Sequence, residues 1–511
     1  LAFQLANKSM HDQQMRTFAR RKVTGYSGSG YTFEDKKANN NIPKWRPFQI
    51  GFILQNIESI ANEQSKYREN VDLLWFPTGG GKTEAYLGLT AFTLFLRRIK
   101  NPLDSGTGVI TRYTLRLLTA QQFERSAKLI CSMENIRRSN QNLGETPFSI
   151  GIWVGSDVTP NRRTSGTNSA KQNLHDLKNK RAKSKFILQS CPWCGAEIGR
   201  PAENVIENNN IAGIKTRRSP DGVMLFCPDS SCTFSDSLPV YVVDEDIYDF
   251  TPSFLVATVD KFALMPWKGY NGLKARSIFG FDEKGNRVND PPTLIIQDEL
   301  HLISDTLGTT VGFNEIFIES FCTKNNQILE DTSSEEVRPK IICSTATIRN
   351  SSSQILGLYG RKQSSIFPSS GLSIDDSFFS IVDENSEGKA YVGIYTPALT
   401  TQATQTNIYS ALYQGPKFFN KHEEMDPWWT NICYFGSMRE LGTSWGLINE
   451  NVSRKLQFLH QKYNISKDKI AYPPHIDSIQ ELTSRLASAD VVSTMEKLSI
   501  SLQGDEKDKY I

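Results

Sequence analysis

At 511 residues the chain exceeds what one hydrophobic core organises and predicts roughly two to four domains. Its 38% apolar and 22% charged residues describe an ordinary globular protein, and no run approaches the ~20 uncharged apolar residues that a membrane span needs. The formal net charge of +3 is too small to imply a nucleic-acid partner, so any such partner must be argued from local patches.

Residues 1–44 hold Gly25-Tyr26-Ser27-Gly28-Ser29-Gly30 and Asn39-Asn40-Asn41, turn chemistry with little periodicity, and are expected as an accessory arm. From Trp45 onward short apolar runs alternate with helical segments: Leu73 to Phe76, Val109 to Arg112, Ile150 to Val154, Phe254 to Ala257, Thr293 to Ile296 and Ile341 to Cys343. That alternation predicts an α/β fold with a doubly wound parallel sheet over 45–350. All but the Val109 run are nearly continuous apolar strings, as strands buried on both faces should be. Ligands in such sheets bind beyond the carboxyl ends of the strands.

The first run leads into Pro77-Thr78-Gly79-Gly80-Gly81-Lys82-Thr83-Glu84, followed by a helical segment. This order of strand, glycine loop and helix is that of a nucleotide-phosphate loop for ATP or GTP. The glycines let backbone N–H groups turn around a β-phosphate, Lys82 would neutralise β/γ oxygens, and the Thr83 hydroxyl would ligate Mg2+. Phe76 stands where the strict pattern has glycine. Later, the strand Leu294 to Ile296 delivers Gln297-Asp298-Glu299-Leu300-His301. Two adjacent carboxylates beside a phosphate loop suit hydrolysis: Asp298 would hold Mg2+ through water, and Glu299 would orient and deprotonate the attacking water.

Between Pro160 and Asp246 the rhythm breaks into a polar, basic insertion. Its basic run, Arg162, Arg163, Lys171, Lys178, Lys180, Arg181, Lys183 and Lys185, is opposed only by Asp176, and reads as a solvated face or as a lid over DNA. Behind it, Cys191, Cys194, Cys227 and Cys232 form a C-x2-C and C-x4-C pair. Four thiolates suit a closed, structural Zn2+ site in a zinc ribbon, with two redox pairs or free thiols as the alternative. The other four cysteines lie in apolar contexts and read as core residues. Eight cysteines with this spacing, and no signal peptide at the start, point to a reducing compartment, the cytoplasm. Trp153, Trp267, Trp428 and Trp429 read as core residues, with base-stacking wedges as the alternative.

A strand further on ends in Ser344-Thr345-Ala346-Thr347. The ordered set of phosphate loop, Asp-Glu-x-His and Ser-x-Ala-Thr resembles a superfamily 2 helicase, built from two RecA-like domains. The resemblance implies that His301 with Ser344, Thr345, Ala346 and Thr347 couples hydrolysis to movement, and that Gln49 of Arg46-Pro47-Phe48-Gln49 reads adenine. It further implies that Arg112, Thr114 and Arg116, then Thr258 and Lys261, grip a phosphodiester backbone. The wording of the motifs, with Gly151-Ile152-Trp153-Val154-Gly155 and Cys433-Tyr434-Phe435, resembles the helicase subunit of the bacterial DISARM anti-phage system. That likeness implies a DNA motor acting with a partner subunit.

Motors of the resembled class carry a second RecA-like domain that contributes arginines to the γ-phosphate. Tyr434 to Glu440 resembles its first strand and turn, so the domain is expected from about Asp426, after a connecting segment 351–425 to which no chemistry is assigned. Only about 85 residues remain, short of the ~150 such a domain needs. Glu481 to Arg485 resembles the stretch before the final motifs, and no Gln-x-x-x-Arg-x-Gly-Arg pattern follows. With Leu1 in place of Met at its start, the chain reads as a fragment. The expectation is an ATP-dependent DNA helicase or translocase. A nucleotide- and DNA-binding assembly subunit and an RNA helicase are the alternatives.

Overall fold

A computed structural model describes residues 1–498 apart from 17–20, 28–29, 36–41, 78, 115, 181–183, 202–210, 264, 266–269, 328–333, 347–349, 370, 373–375, 382, 384, 386–387, 389, 473–477, 484, 487–490, 492–493 and 495–496. The chain divides into two units, Leu1–Val382 and Asp383–Ile511.

The first unit opens with helix α1 (Ala2–Met15) and a hairpin of β1 (Val23–Ser27) and β2 (Gly30–Phe33), followed by α2 (Pro47–Ala61). Next come β3 (Val71–Trp75), α3 (Lys82–Lys100), β4 (Val109–Tyr113), α4 (Arg116–Arg138) and β5 (Ile150–Trp153). The insertion supplies α5 (Ala170–Lys178), the hairpin β6 (Ile214–Arg218) and β7 (Asp221–Leu225), and β8 (Val240–Tyr241). After it run α6 (Asp244–Phe250), β9 (Phe254–Thr258), α7 (Val259–Phe262), α8 (Tyr270–Ala275), β10 (Leu294–Gln297) and α9 (Asp305–Cys322). A hairpin of β11 (Lys324–Gln327) and β12 (Ser334–Val337) precedes β13 (Lys340–Thr345), α10 (Ser351–Tyr359) and β14 (Ser364–Phe367).

Eight of these strands form one sheet in the order β14-β3-β13-β10-β4-β9-β5-β8, parallel throughout. Side chains alternate between its faces with period two. Val109, Phe254, Leu294 and Ile342 face a core shared with α1 to α4, whereas Ile110, Leu255 and Ile295 face α6, α7 and α9. Val71, Leu73 and Ile341 on that second face pack against α9 and α10. Helices therefore cover both faces, as the apolar runs required. All six expected runs are strands of this sheet. The edge strands β8 and β14 were not anticipated, because one is two residues long and the other, Ser-Ser-Ile-Phe, is only half-buried.

The N-terminal ends of the strands are pinned by buried cations. Lys340 reaches Asp72 at 2.5 Å and donates to the carbonyls of Tyr67 and Asn70. The guanidinium of Arg68 donates to the carbonyls of Ser59, Ile60, Thr293 and Arg338, and burial pushes its pKa down to about 10.

The expected arm is no loop at its start. α1 buries Ala2, Ala6 and Met10 against α3 and α4, and the spacing of four along one helical face was the available signal.

The second unit holds α11 (Thr401–Gln414), α12 (His422–Met425), α13 (Met438–Gly446) and α14 (Ser453–Lys462), with a small core of Tyr409, Val452, Leu456 and Ala471. Residues 434–440, expected as the first strand and turn of a second RecA-like domain, form no strand: Tyr434 is exposed and helix α13 already begins at Met438. A strand needs a neighbour to satisfy its backbone groups, and from Tyr391 on the described elements are helical.

Arg112 departs most from expectation. It is 1% exposed on the second face of β4, where its guanidinium pairs with Glu315 of α9 and lies 3.5 Å from the Tyr359 hydroxyl. Burial opposes its charge, yet the Glu315 carboxylate more than offsets this and raises the arginine's pKa. Arg112 thus ties β4 to α9 rather than facing a nucleic acid. Arg112→Met would leave Glu315 buried without its partner and is expected to cost about 3–5 kcal/mol by chemical denaturation. Arg112→Met with Glu315→Leu should recover most of that loss. Unchanged stability in the single variant would contradict a structural role.

Candidate nucleotide site and cysteine cluster

Because the sheet is parallel, the carboxyl ends of β3, β13, β10 and β4 lie side by side at one edge. Gly79 to Thr83, Ser344 to Ala346, Asp298 to His301 and Thr114 are thereby brought together from four distant stretches of chain. Thr78 and Thr347 lie outside the described residues.

The phosphate loop is braced from α2. The Gln49 side chain accepts from Arg46 N at 2.8 Å and donates to Gly81 O at 2.8 Å, while Arg46 Nη1 donates to Gly80 O at 2.7 Å. Gln49, expected to read adenine, is 5% exposed and spends its amide on these contacts. Two loop glycines are required by shape. Gly81 has φ +93°, and a Cβ there would stand 2.7 Å from Gln49 Nε2. A Cβ on Gly80 would meet the Phe76 ring at 2.5 Å. Phe76 itself stacks on Phe48 at 3.8 Å, so the residue standing in for the strict glycine packs the loop onto α2. Lys82 Nζ donates to Phe76 O at 2.7 Å.

Asp298 is held by three donors. The Ser344 hydroxyl donates to Oδ1 at 2.6 Å, Glu299 N donates to the same oxygen at 3.0 Å, and the Tyr86 hydroxyl donates to Oδ2 at 2.7 Å. The Tyr86 hydroxyl also lies 3.1 Å from Thr83 Oγ1, so it bridges the two residues expected to serve Mg2+. Burial and then the Asp298 charge push the Tyr86 phenol well above its usual range, which keeps it a donor. Tyr86 was missed in the sequence, although three residues after Thr83 on a helix is the spacing of one face.

Glu299 sits at φ +49°, a left-handed conformation costly for a residue with a Cβ and common where an active site re-aims a side chain. Its Oε2 lies 3.2 Å from His301 Nδ1, and that nitrogen is 3.1 Å from Thr345 Oγ1. A chain of contacts thus runs from Glu299 through His301 to the end of β13. Burial, then the neighbouring Asp298, raise the Glu299 carboxyl above its usual range, against the pull of Lys82 and His301. Trp75 Nε1 donates to Ala346 O at 3.1 Å and joins the ends of β3 and β13.

The expected backbone-gripping residues do not form an open basic surface. Thr258 is fully buried, and Lys261 is 4% exposed and paired with Asp244 at 2.5 Å. Thr114 is half-buried at the end of β4, and Arg116 begins α4 with its side chain outside the described residues. Trp153 is fully buried and donates to the Tyr248 hydroxyl at 3.1 Å, which makes it core. Trp267 lies outside the described residues. In the insertion, Arg163 pairs with Asp246 and Asp249 and Lys171 with Asp221, so part of the basic run is neutralised.

Cys191, Cys194, Cys227 and Cys232 are buried, and their four Sγ atoms all lie within 4.8 Å of one another. A tetrahedral zinc thiolate site has sulfurs about 3.8 Å apart, as follows from a Zn–S bond of about 2.3 Å. The residues present fit such an ion, with no position left for a reacting water. Gly195, at φ +81°, turns the first knuckle so that its N–H donates to Cys191 O at 2.9 Å. None of the eight cysteines forms a disulfide. Elemental analysis of the purified protein should give one zinc per chain, lost in Cys194→Ser. Metal-free protein with four freely reactive thiols at this site would contradict the assignment.

No helix among the described residues is long and apolar enough to cross a membrane. No protein-family model matches the chain. Among solved structures, DUF1998 helicase MrfA aligns with 12% identity and a TM-score of 0.39 over 82% of this chain and 40% of that one. The Pyrococcus furiosus Hef helicase domain aligns with 12% identity and a TM-score of 0.25 over 82% and 55%. In sequence, DISARM protein DrmA of Bacillus paralicheniformis is 35% identical over 99% of this chain, which spans 46% of that relative, about half its length. The resemblance carried by the motifs thus extends along nearly the whole chain, and the chain is similar to DISARM DrmA.

Proposed function

We propose that the chain is the nucleotide-hydrolysing part of an ATP-dependent DNA helicase or translocase acting in phage defence. One observation carries the reading: Asp298, the hydroxyls of Thr83 and Tyr86, and Glu299 are gathered beside a phosphate loop that is already braced by Gln49 and Arg46. Magnesium-ATP, when bound, supplies the transferable γ-phosphoryl group and neutralises its charge. The chain's own residues do the rest. Lys82 Nζ, which donates to Phe76 O, would turn to a phosphate oxygen, and Thr83 and Asp298 would hold the metal. Glu299 takes the proton of the attacking water, and its raised pKa suits a base. His301 and Thr345 relay the state of Glu299 to β13. The defence role rests on the likeness to DISARM protein DrmA, and the DNA track and the partner subunit rest on the helicase resemblance carried by the motifs.

The test is steady-state ATPase of the full-length protein alone and with single-stranded DNA, duplex DNA or RNA. Stimulation by DNA is expected, with Lys82→Ala inactive and Glu299→Gln slower by about 10²–10⁴. Turnover that Glu299→Gln leaves intact would contradict the mechanism, and nucleotide binding without turnover under any condition would favour an assembly subunit.

The pH dependence follows from the direction of the Glu299 shift. The base must be ionised, so turnover should rise with pH through a value above the ordinary glutamate 4.5. For stability the sign is opposite: a raised carboxyl favours the protonated fold, and that contribution is lost as pH rises through the raised value. Glu299→Gln should therefore keep or raise Tm at neutral pH while slowing turnover by about 10²–10⁴. A fall in Tm would indicate that Glu299 serves the fold instead.

A further inference from the structure

The cysteine cluster and the phosphate loop are joined along two separate routes that end on one oxygen atom. The first route begins in α1. Asn7 Oδ1 accepts from Trp45 Nε1 at 2.6 Å, and Gln14 Nε2 lies 3.4 Å from Glu84 Oε1. Just beyond, Arg16 stacks over the ring of Trp193, between Cys191 and Cys194, at 3.6 Å. Arg21 then docks on both knuckles. Its N–H donates to Gly195 O at 2.8 Å, its carbonyl accepts from Glu197 N at 2.9 Å, and its guanidinium meets Asp229 at 2.7 Å, between Cys227 and Cys232.

The second route is α4. Partway along it Arg125 pairs with the same Glu84 Oε1. Thirteen residues on, about 20 Å along the helix, Arg138 donates to Thr233 O at 2.9 Å and covers Phe234 at 4.8 Å. Glu84 follows Lys82 and Thr83 directly on α3, so a displacement at either far end reaches the residues that would hold phosphate and metal.

We propose that the cysteine cluster positions the phosphate loop from a distance, with Arg21, Arg125 and Arg138 as positioning residues for nucleotide binding. This rests on reading the phosphate loop as a nucleotide site. A bare packing role would let these arginines affect stability alone, whereas the shared endpoint on Glu84 predicts an effect on nucleotide affinity at unchanged zinc content.

The experiment measures the affinity of zinc-loaded, full-length protein for a fluorescent ATP analogue with Mg2+, with hydrogen exchange of residues 79–90 read alongside. Arg21→Ala and Arg138→Ala are expected to weaken binding about fivefold or more, within ordinary site-to-site coupling, and to speed exchange in that peptide. Arg21→Lys should recover part of the affinity, and Lys171→Ala, in the same insertion, should change nothing. If Arg21→Ala does not fold, Asp229→Asn carries the same test from the other side of the pair. Unchanged affinity in both alanine variants overturns the inference and leaves the nucleotide site standing. Failure of the unaltered protein to bind the analogue overturns the nucleotide reading and this inference with it.

Discussion

Parallel pairing is the constraint on which the site depends. Strands about 4.8 Å apart and running the same way must all end at one edge. Here the ends of β3, β13, β10 and β4 are neighbours in that order, so four short motifs, scattered from Gly79 to Ala346, meet without any long loop to carry them. Crossover helices are the cost of that pairing, and they bury both sheet faces. The buried cations Lys340 and Arg68 hold the opposite edge.

Asp298 shows how the edge is organised chemically. One carboxylate receives hydrogen bonds from three elements: Ser344 of β13, the backbone of Glu299 after β10, and Tyr86 of α3. Its position is therefore set by the relative placement of two strands and the phosphate-loop helix. Glu299, by contrast, has a strained backbone, and its carboxylate lies 3.2 Å from His301 Nδ1.

The apolar strings in the chain foretold most of the central strands because burial on both faces leaves few polar residues in them; β4, with Thr111 and Arg112, is the exception. They could not foretell β8 or β14, since edge strands need only one neighbour and tolerate polar side chains. The phosphate loop, Asp298 and Glu299 were legible from spacing and from strand context. Arg112 and Lys261 were not, because a charge in a sequence does not name its partner: Glu315 lies 203 residues from Arg112 and Asp244 lies 17 from Lys261. Each cation was expected to grip a phosphodiester backbone, and the structure pairs each with a buried acid instead. The four cysteines were legible because metal geometry imposes its own spacing, whereas the attachment of α1 to that cluster depended on tertiary contacts of Arg16 and Arg21 that no local pattern announces.

The central claim is that Asp298 serves the divalent ion of a nucleotide held at the phosphate loop. Replacing magnesium by Mn2+ and recording its electron paramagnetic resonance with a non-hydrolysable ATP analogue tests this most directly. An ordered Mn2+ signal is expected that depends on the nucleotide, is lost in Lys82→Ala, and weakens in Asp298→Asn. A nucleotide-dependent Mn2+ signal unaltered by Asp298→Asn would contradict the claim.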